Sequence, residues 1–350
     1  MSHRENRSSR GRPLAAILGC SGRALGGAEK SFFRDADPFG FILFARNCAE
    51  PDQVRRLVGA LRNCVGRANA PILIDQEGGR VARLGPPRWR RPPPAATFAR
   101  LARVDEGAAI EAARLNARLI AAELHELGIT VNCAPVLDVP QPGSHAVIGD
   151  RALGESPAVV ALLGRAVCEG LLDGGVLPVI KHIPGHGRAL TDSHKALPVV
   201  GAARVDLEAV DFAPFKALRD MPWAMTAHVR YETLDRRAPA TTSKTVIQRF
   251  IRGTIGFDGV LVSDDLSMSA LGGGVGERAQ AALAAGCDVV LHCNGMRAEM
   301  EEVAAYASPL DDAAQARLHR AEAIRAPPKP FERNGALARL QVLMEGMVVP

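Results

Sequence analysis

The sequence predicts a single α/β domain built as a (β/α)₈ TIM-type barrel. Eight short apolar runs alternate with longer segments of helical period, the pattern of repeated βα units around a parallel sheet. The runs are apolar along their whole length rather than alternating, as strands buried on both faces are. Polar clusters follow five or more of them. A barrel gathers its chemistry from the C-terminal ends of many strands, whereas an open doubly wound sheet concentrates it at one switch point. No GxGxxG or GxxxxGK[ST] loop is present to favour the open sheet.

In chain order, residues 1–12 are polar and basic and read as a disordered tail. Arg4, Arg7, Arg10 and Arg12 precede an apolar run ending at Cys20, which superficially resembles a lipoprotein leader. The uninterrupted run from Leu14 to Leu18 is shorter than the roughly 7–15 residues of a leader core, so a first strand is the better reading. Strands are expected at 15–18, 40–44, 72–75, 130–136, 176–181, 224–228, 260–263 and 289–292. Helices are expected between them at 51–64, 105–127, 156–173, 205–219, 243–254, 276–285 and 296–307. The first opens with Pro51 in its first turn, and the second closes before Gly128. Residues 83–96, with five prolines and no period, read as a long surface loop. The barrel is assigned to 13–326. Residues 327–350 read as a C-terminal linker and tail, whose last fifteen residues form either a docking helix or a frayed end.

Composition narrows the function. Apolar residues make up 47% of the 350, which excludes a disordered chain. The net charge is only +5 and aromatics are 4%, with no basic stripe interleaved with rings, so nucleic acid is not an expected partner. No apolar run is long enough to span a membrane. Seven scattered cysteines with no CxxC pair fit free thiols in a reducing, cytoplasmic setting.

Three clusters carry chemistry. Between Lys181 and His194 lie His182, Pro184, Gly185, His186, Gly187 and Asp192-Ser193-His194. Pro184 and Gly185 keep His182 and His186 off one helical face, which weakens a zinc-helix reading. The remaining readings are a structural loop and acid/base chemistry. In the latter, Asp192 bonds one nitrogen of His194 and leaves the other for a substrate proton. The run Val260–Asp265 delivers two carboxylates at a strand end. Asp265 suits capping, and Asp264 suits attack on an anomeric carbon. Ile72-Leu-Ile-Asp75 runs into Gln76-Glu77-Gly78-Gly79-Arg80-Val81-Ala82-Arg83, where Asp75 and Arg83 suit sugar hydroxyls or a mere surface ion pair. Asp138, Arg151, His228 and Asn294 are further strand-end groups.

Taken together, Lys181-His-Ile-Pro-Gly-His-Gly followed by Asp192-Ser-His194, Ser263-Asp264-Asp265-Leu-Ser-Met268, Asp75-Gln-Glu-Gly-Gly-Arg-Val81 and Ala134-Pro-Val-Leu-Asp-Val139 resemble family 3 glycoside hydrolases of the N-acetylglucosaminidase type. The resemblance spans about residues 13–325. Ile183 replaces the usual aromatic. It implies Asp264 as nucleophile and His194 as acid/base with Asp192 as its partner. It implies Asp75, Arg83, Arg151, Lys181 and His182 as substrate-binding groups, with no metal and no organic cofactor. The substrate it implies is a muropeptide (GlcNAc-1,6-anhydro-MurNAc) met in cell-wall recycling by a cytoplasmic monomer or weak dimer. Three rivals stay open: a metal-dependent barrel hydrolase using His182, His186 and His228, a non-catalytic sugar-binding barrel, and a phosphorolytic variant.

Overall fold

The structure is a computed structural model that describes residues 11–345. The expected tail at 1–12 therefore lies, apart from its last two residues, outside the described residues; Arg12 pairs with Asp312 at 2.5 Å. Eight parallel strands close a barrel: β1 (Leu14–Gly19), β2 (Pro38–Leu43), β3 (Ile72–Ile74), β4 (Val131–Asn132), β5 (Leu177–Ile183), β6 (Trp223–Thr226), β7 (Val260–Asp265) and β8 (Val289–His292). Each strand pairs with its neighbours in sequence, and β8 closes on β1 through Ala16 opposite Val290.

Alternation along each strand explains why the runs are apolar throughout. Ile17, Ile42, Leu73, Val131, Val179, Met225, Val262 and Leu291 point into the barrel and form one core. Leu18, Phe41, Ile72, Ile180, Leu261 and Val290 point outward and pack beneath the helices. Each such side chain contributes ~1.5–3 kcal/mol by leaving water. Leu310 and the Ala314, Leu318 and Ala321 face of a helix at Asp312–Ile324 join the inner core. That helix is amphipathic towards the barrel and was absent from the sequence expectation.

The helical layer contains α1 (Gly27–Ala36), α2 (Pro51–Val65), α3 (Ala95–Ala102), α4 (Glu106–Glu126) and α5 (Pro157–Asp173). Pro occupies the first turn of α2 and α5, where its missing N–H is not needed. Asp105 caps α4 by accepting from the Ala108 N–H at 2.9 Å. The expected helix at 205–219 is instead three short turns, Arg204–Asp206, Leu207–Asp211 and Ala213–Ala217. Pro214 withholds a donor there and ends the regular ladder. The helix expected at 243–254 runs Val246–Ile255 with wider i→i+5 turns.

Other departures have similar causes. β4 is shorter than 130–136 because Pro135 cannot donate to the ladder, which resumes only as a bridge from Val136 to Lys181. The proline-rich stretch folds back on a short hairpin, Gln76–Gly78 against Val81–Ala82. Buried Gln76 pins it, donating to the Leu84 carbonyl and accepting from the Arg83 and Leu84 N–H groups. Within 327–350, expected as linker and tail, a helix at Arg333–Glu345 buries Leu340 and Leu343 and packs on α4. All seven cysteines are free. Among the described residues, no helix is long and apolar enough to cross a membrane.

Candidate active site

A cleft of about 310 Å³ opens at the C-terminal ends of the strands. Asp75, Arg83, Arg151, Lys181, His182, Asp192, His194 and Asp264 all line it, so the fold brings the eight sequence-predicted site residues to one place. The arrangement is built by strand geometry. β5 runs two residues further than expected, which carries His182 and Ile183, as well as Lys181, within a strand rather than a loop. β7 likewise extends through Asp264 and Asp265.

The floor is a row of alternating charges. Arg83 meets Asp75 at 3.0 Å, Asp75 meets Lys181 at 2.9 Å, Lys181 meets Glu77 at 2.6 Å, and Glu77 takes both ends of the Arg151 guanidinium at 2.8 Å. Burial pushes the Asp75 and Glu77 carboxyls up, but the neighbouring cations prevail and hold both below their ordinary range. Burial opposes the Lys181 ammonium in turn, and its two carboxylates raise it instead. The Phe44 ring lies under the Arg83 guanidinium, 4.8 Å from its centroid, and fixes that arginine from the other side.

Beside the row sits a second anchor. Asp138 is wholly buried and accepts three hydrogen bonds: the His182 ring Nδ1 at 2.6 Å, the His182 N–H at 3.2 Å and the His186 N–H at 2.6 Å. Burial would raise this carboxyl, yet the paired His182 draws it down to about 2. A carboxylate only accepts, so His182 carries its proton on Nδ1 there and has Nε2 left for a ligand. Burial pushes the neighbouring His186 imidazole down to about 4, which leaves it neutral near pH 7.

The two adjacent aspartates of β7 take different work. Asp265 accepts from the Ser267 N–H, the Ser267 hydroxyl and the Cys293 N–H, tying its own turn to the end of β8. Asp264 accepts only the Asp265 N–H, at 2.8 Å. Burial raises it, but His182, His228 and that N–H together keep it below its ordinary value, so it is ionised. His228 is fully buried and lies outside the cleft lining. Its Nε2 bonds the Asp265 carbonyl at 3.0 Å and its Nδ1 the Thr241 hydroxyl at 2.7 Å.

On the rim, the Asp192 Oδ1 accepts both the His194 Nδ1 at 2.7 Å and the His194 N–H at 2.9 Å. Burial alone would raise Asp192; the two bonds from His194 bring it down. The His194 side chain is 63% exposed, in contrast to the floor.

Sequence reading missed Glu77, although it stands in a quoted motif, and Asp138 as a shared anchor. The signal available was only an acid beside two glycines, and an acid three residues after Pro135. Among the described residues no group of three His, Cys, Asp or Glu side chains is disposed to hold a metal ion. His182 and His228 spend ring nitrogens on Asp138, Thr241 and the Asp265 carbonyl instead.

Known proteins are similar to this chain over most of its length. The glycosyl hydrolase family 3 N-terminal domain matches residues 28–323. A beta-hexosaminidase of Alkalilimnicola ehrlichii is 40% identical over 79% of this chain and 80% of its own. One from Pseudomonas aeruginosa is 38% identical over 87% and 89%. The crystal structure of NagZ from Neisseria gonorrhoeae in complex with N-trifluoroacetyl-D-glucosamine superposes with a TM-score of 0.85 at 33% identity, covering 95% of this chain and 98% of that one.

Proposed function

The chain belongs to glycosyl hydrolase family 3 and is a β-N-acetylhexosaminidase, and from that premise we propose a retaining exo-β-N-acetylglucosaminidase that uses Asp264 as nucleophile and the Asp192/His194 pair as acid/base. One observation carries the reading. Five carboxylates line the cleft, and four are committed: Asp75 and Glu77 to cations, Asp192 to His194, Asp265 to its turn. Among the described residues Asp264 alone of the five accepts no hydrogen bond from a side chain; its one protein partner is the Asp265 N–H. An ionised, uncommitted carboxylate at a barrel mouth is the group suited to attack C1.

In this reaction Asp264 attacks the anomeric carbon as His194 protonates the departing oxygen. The C1–O bond to the aglycone breaks and an ester to Asp264 forms, through a transition state with oxocarbenium character. His194, now neutral, takes a proton from water. The water attacks C1 and releases the sugar with its β configuration restored. Asp75, Arg83, Arg151, Lys181 and His182 hold the sugar hydroxyls. Their value lies in bonds that tighten as the ring flattens.

The natural substrate in this reading is a terminal N-acetylglucosamine on a peptidoglycan-derived muropeptide. The free, mostly buried cysteines fit a cytoplasmic setting for cell-wall recycling. Brief exposure to a 5-fluoro N-acetylglucosaminyl donor tests the nucleophile. The intact mass is expected to rise by one glycosyl unit, mapped to the peptide holding Asp264. A label on another carboxylate sinks the assignment. Comparing turnover with and without inorganic phosphate separates hydrolysis from phosphorolysis.

A further inference from the structure

We propose that Ser193 is a positioning residue for proton transfer, held by His186 and Ala270 so that the Asp192/His194 pair on either side of it is fixed over the cleft. This rests on the acid/base reading above. An exposed imidazole on a loop without regular structure between β5 and Val199 needs something to hold it in reacting geometry. Ser193 supplies that hold. It is 4% exposed between an acid and a histidine that both line the cleft. Its Oγ lies 3.2 Å from His186 Nε2, and its carbonyl accepts the Ala270 N–H at 3.1 Å.

Both partners are themselves immobile. His186 is 3% exposed, and its own N–H is tied to Asp138, the carboxylate that orients His182. A neutral ring with its proton on Nε2 donates to the serine oxygen. Ala270 is 4% exposed and stands in the turn that follows Asp264 and Asp265. The loop is thus fastened on one side to the sugar-binding anchor and on the other to the nucleophile's own segment. Its stem is rigid as well. The Tyr231 hydroxyl donates to the Gly185 carbonyl, Arg188 pairs with buried Asp211 at 2.7 Å, and a Cβ on Gly187 would run into the Val139 carbonyl. Only the tip beyond the stem depends on Ser193.

The test is the leaving-group dependence of kcat/KM, which reports the glycosylation step. Ser193→Ala is expected to lose about tenfold or more on an alkyl N-acetylglucosaminide, and far less on the 2,4-dinitrophenyl glycoside, which departs without a proton. Equal loss on both, or none on either, overturns the proposal. The double variant Ser193→Ala/His194→Ala should fall no further on the alkyl glycoside than His194→Ala alone, because the serine acts through the histidine. A further drop would assign it a merely structural role. Ser193→Thr, which keeps the hydroxyl, should flatten the dependence again, and a Thr variant as steep as the Ala variant also overturns it. If His194→Ala itself shows no leaving-group preference, the acid/base reading fails. If it does and Ser193→Ala does not, only this proposal fails.

Discussion

On the cleft floor the Lys181 side chain is 3% exposed and meets two carboxylates; on the rim the His194 side chain is 63% exposed and meets one. The floor groups belong to β5, to a hairpin pinned by buried Gln76 or to the turn at Gly149–Arg151, and each member has a neighbour of opposite charge. The rim group stands on a loop with a rigid stem and a tip held by single hydrogen bonds. The difference follows from the work proposed for each. A group that only binds hydroxyls gains from being fixed. A group that exchanges a proton with an aglycone and then with water must stay reachable by both.

The largest effect that bears on this contrast is expected from Asp264→Ala. Turnover should fall on the order of 10⁴-fold or more, with little change in melting temperature, because Asp264 makes only one hydrogen bond to the protein. A collapse in stability instead would move Asp264 from chemistry to scaffolding. His194→Ala comes next, with a loss of about 10²–10⁴-fold on unactivated glycosides and a far smaller one on activated aryl glycosides. Kinetics on both substrate types measure it.

The floor is then probed by Lys181→Met. It leaves Asp75 and Glu77 facing each other in a buried setting, and denaturant unfolding should report a loss of about 3–5 kcal/mol. A stability close to that of the parent would mean that the row is solvated rather than buried. The smallest effect is a pH slope. His186 titrates at about 4 when folded and near 6.5 when unfolded, so the unfolded chain binds more protons in that window. Its contribution to stability is complete above 6.5 and fades as pH falls towards 4. Asp211, raised to about 6 by burial, acts in the opposite sense between about 4 and 6. Urea unfolding at several pH values should show His186→Gln with a shallower acid loss than the parent.

The strands were legible because both faces are buried, which leaves β-branched runs such as Val260-Leu-Val262 unmistakable. The helices at Gly27–Ala36 and Asp312–Ile324 were not. Each presents only a few buried side chains, too sparse to mark a period. Asp264, Asp192 and His194 were candidates from local residue order, a strand-end acid and an Asp-Ser-His triplet, and the family resemblance supplied the roles expected of them. Glu77 could not, because its role depends on Lys181 and Arg151, which reach it only when the barrel closes. Asp265 was told apart from its neighbour as the acid suited to capping, and it accepts from the Ser267 N–H, the Ser267 hydroxyl and the Cys293 N–H.

The alternating row from Arg83 to Arg151 has one more consequence. Its members come from β5, from the hairpin after β3 and from the turn at Gly149–Arg151, so no segment carries a working part of it alone. A sugar entering the cleft meets dipoles whose directions were settled when the chain folded, not when the ligand arrived. Affinity for the sugar should therefore vanish in one step with the tertiary structure rather than fade in advance of it. The cleft then serves as a gauge of whether the cylinder is whole.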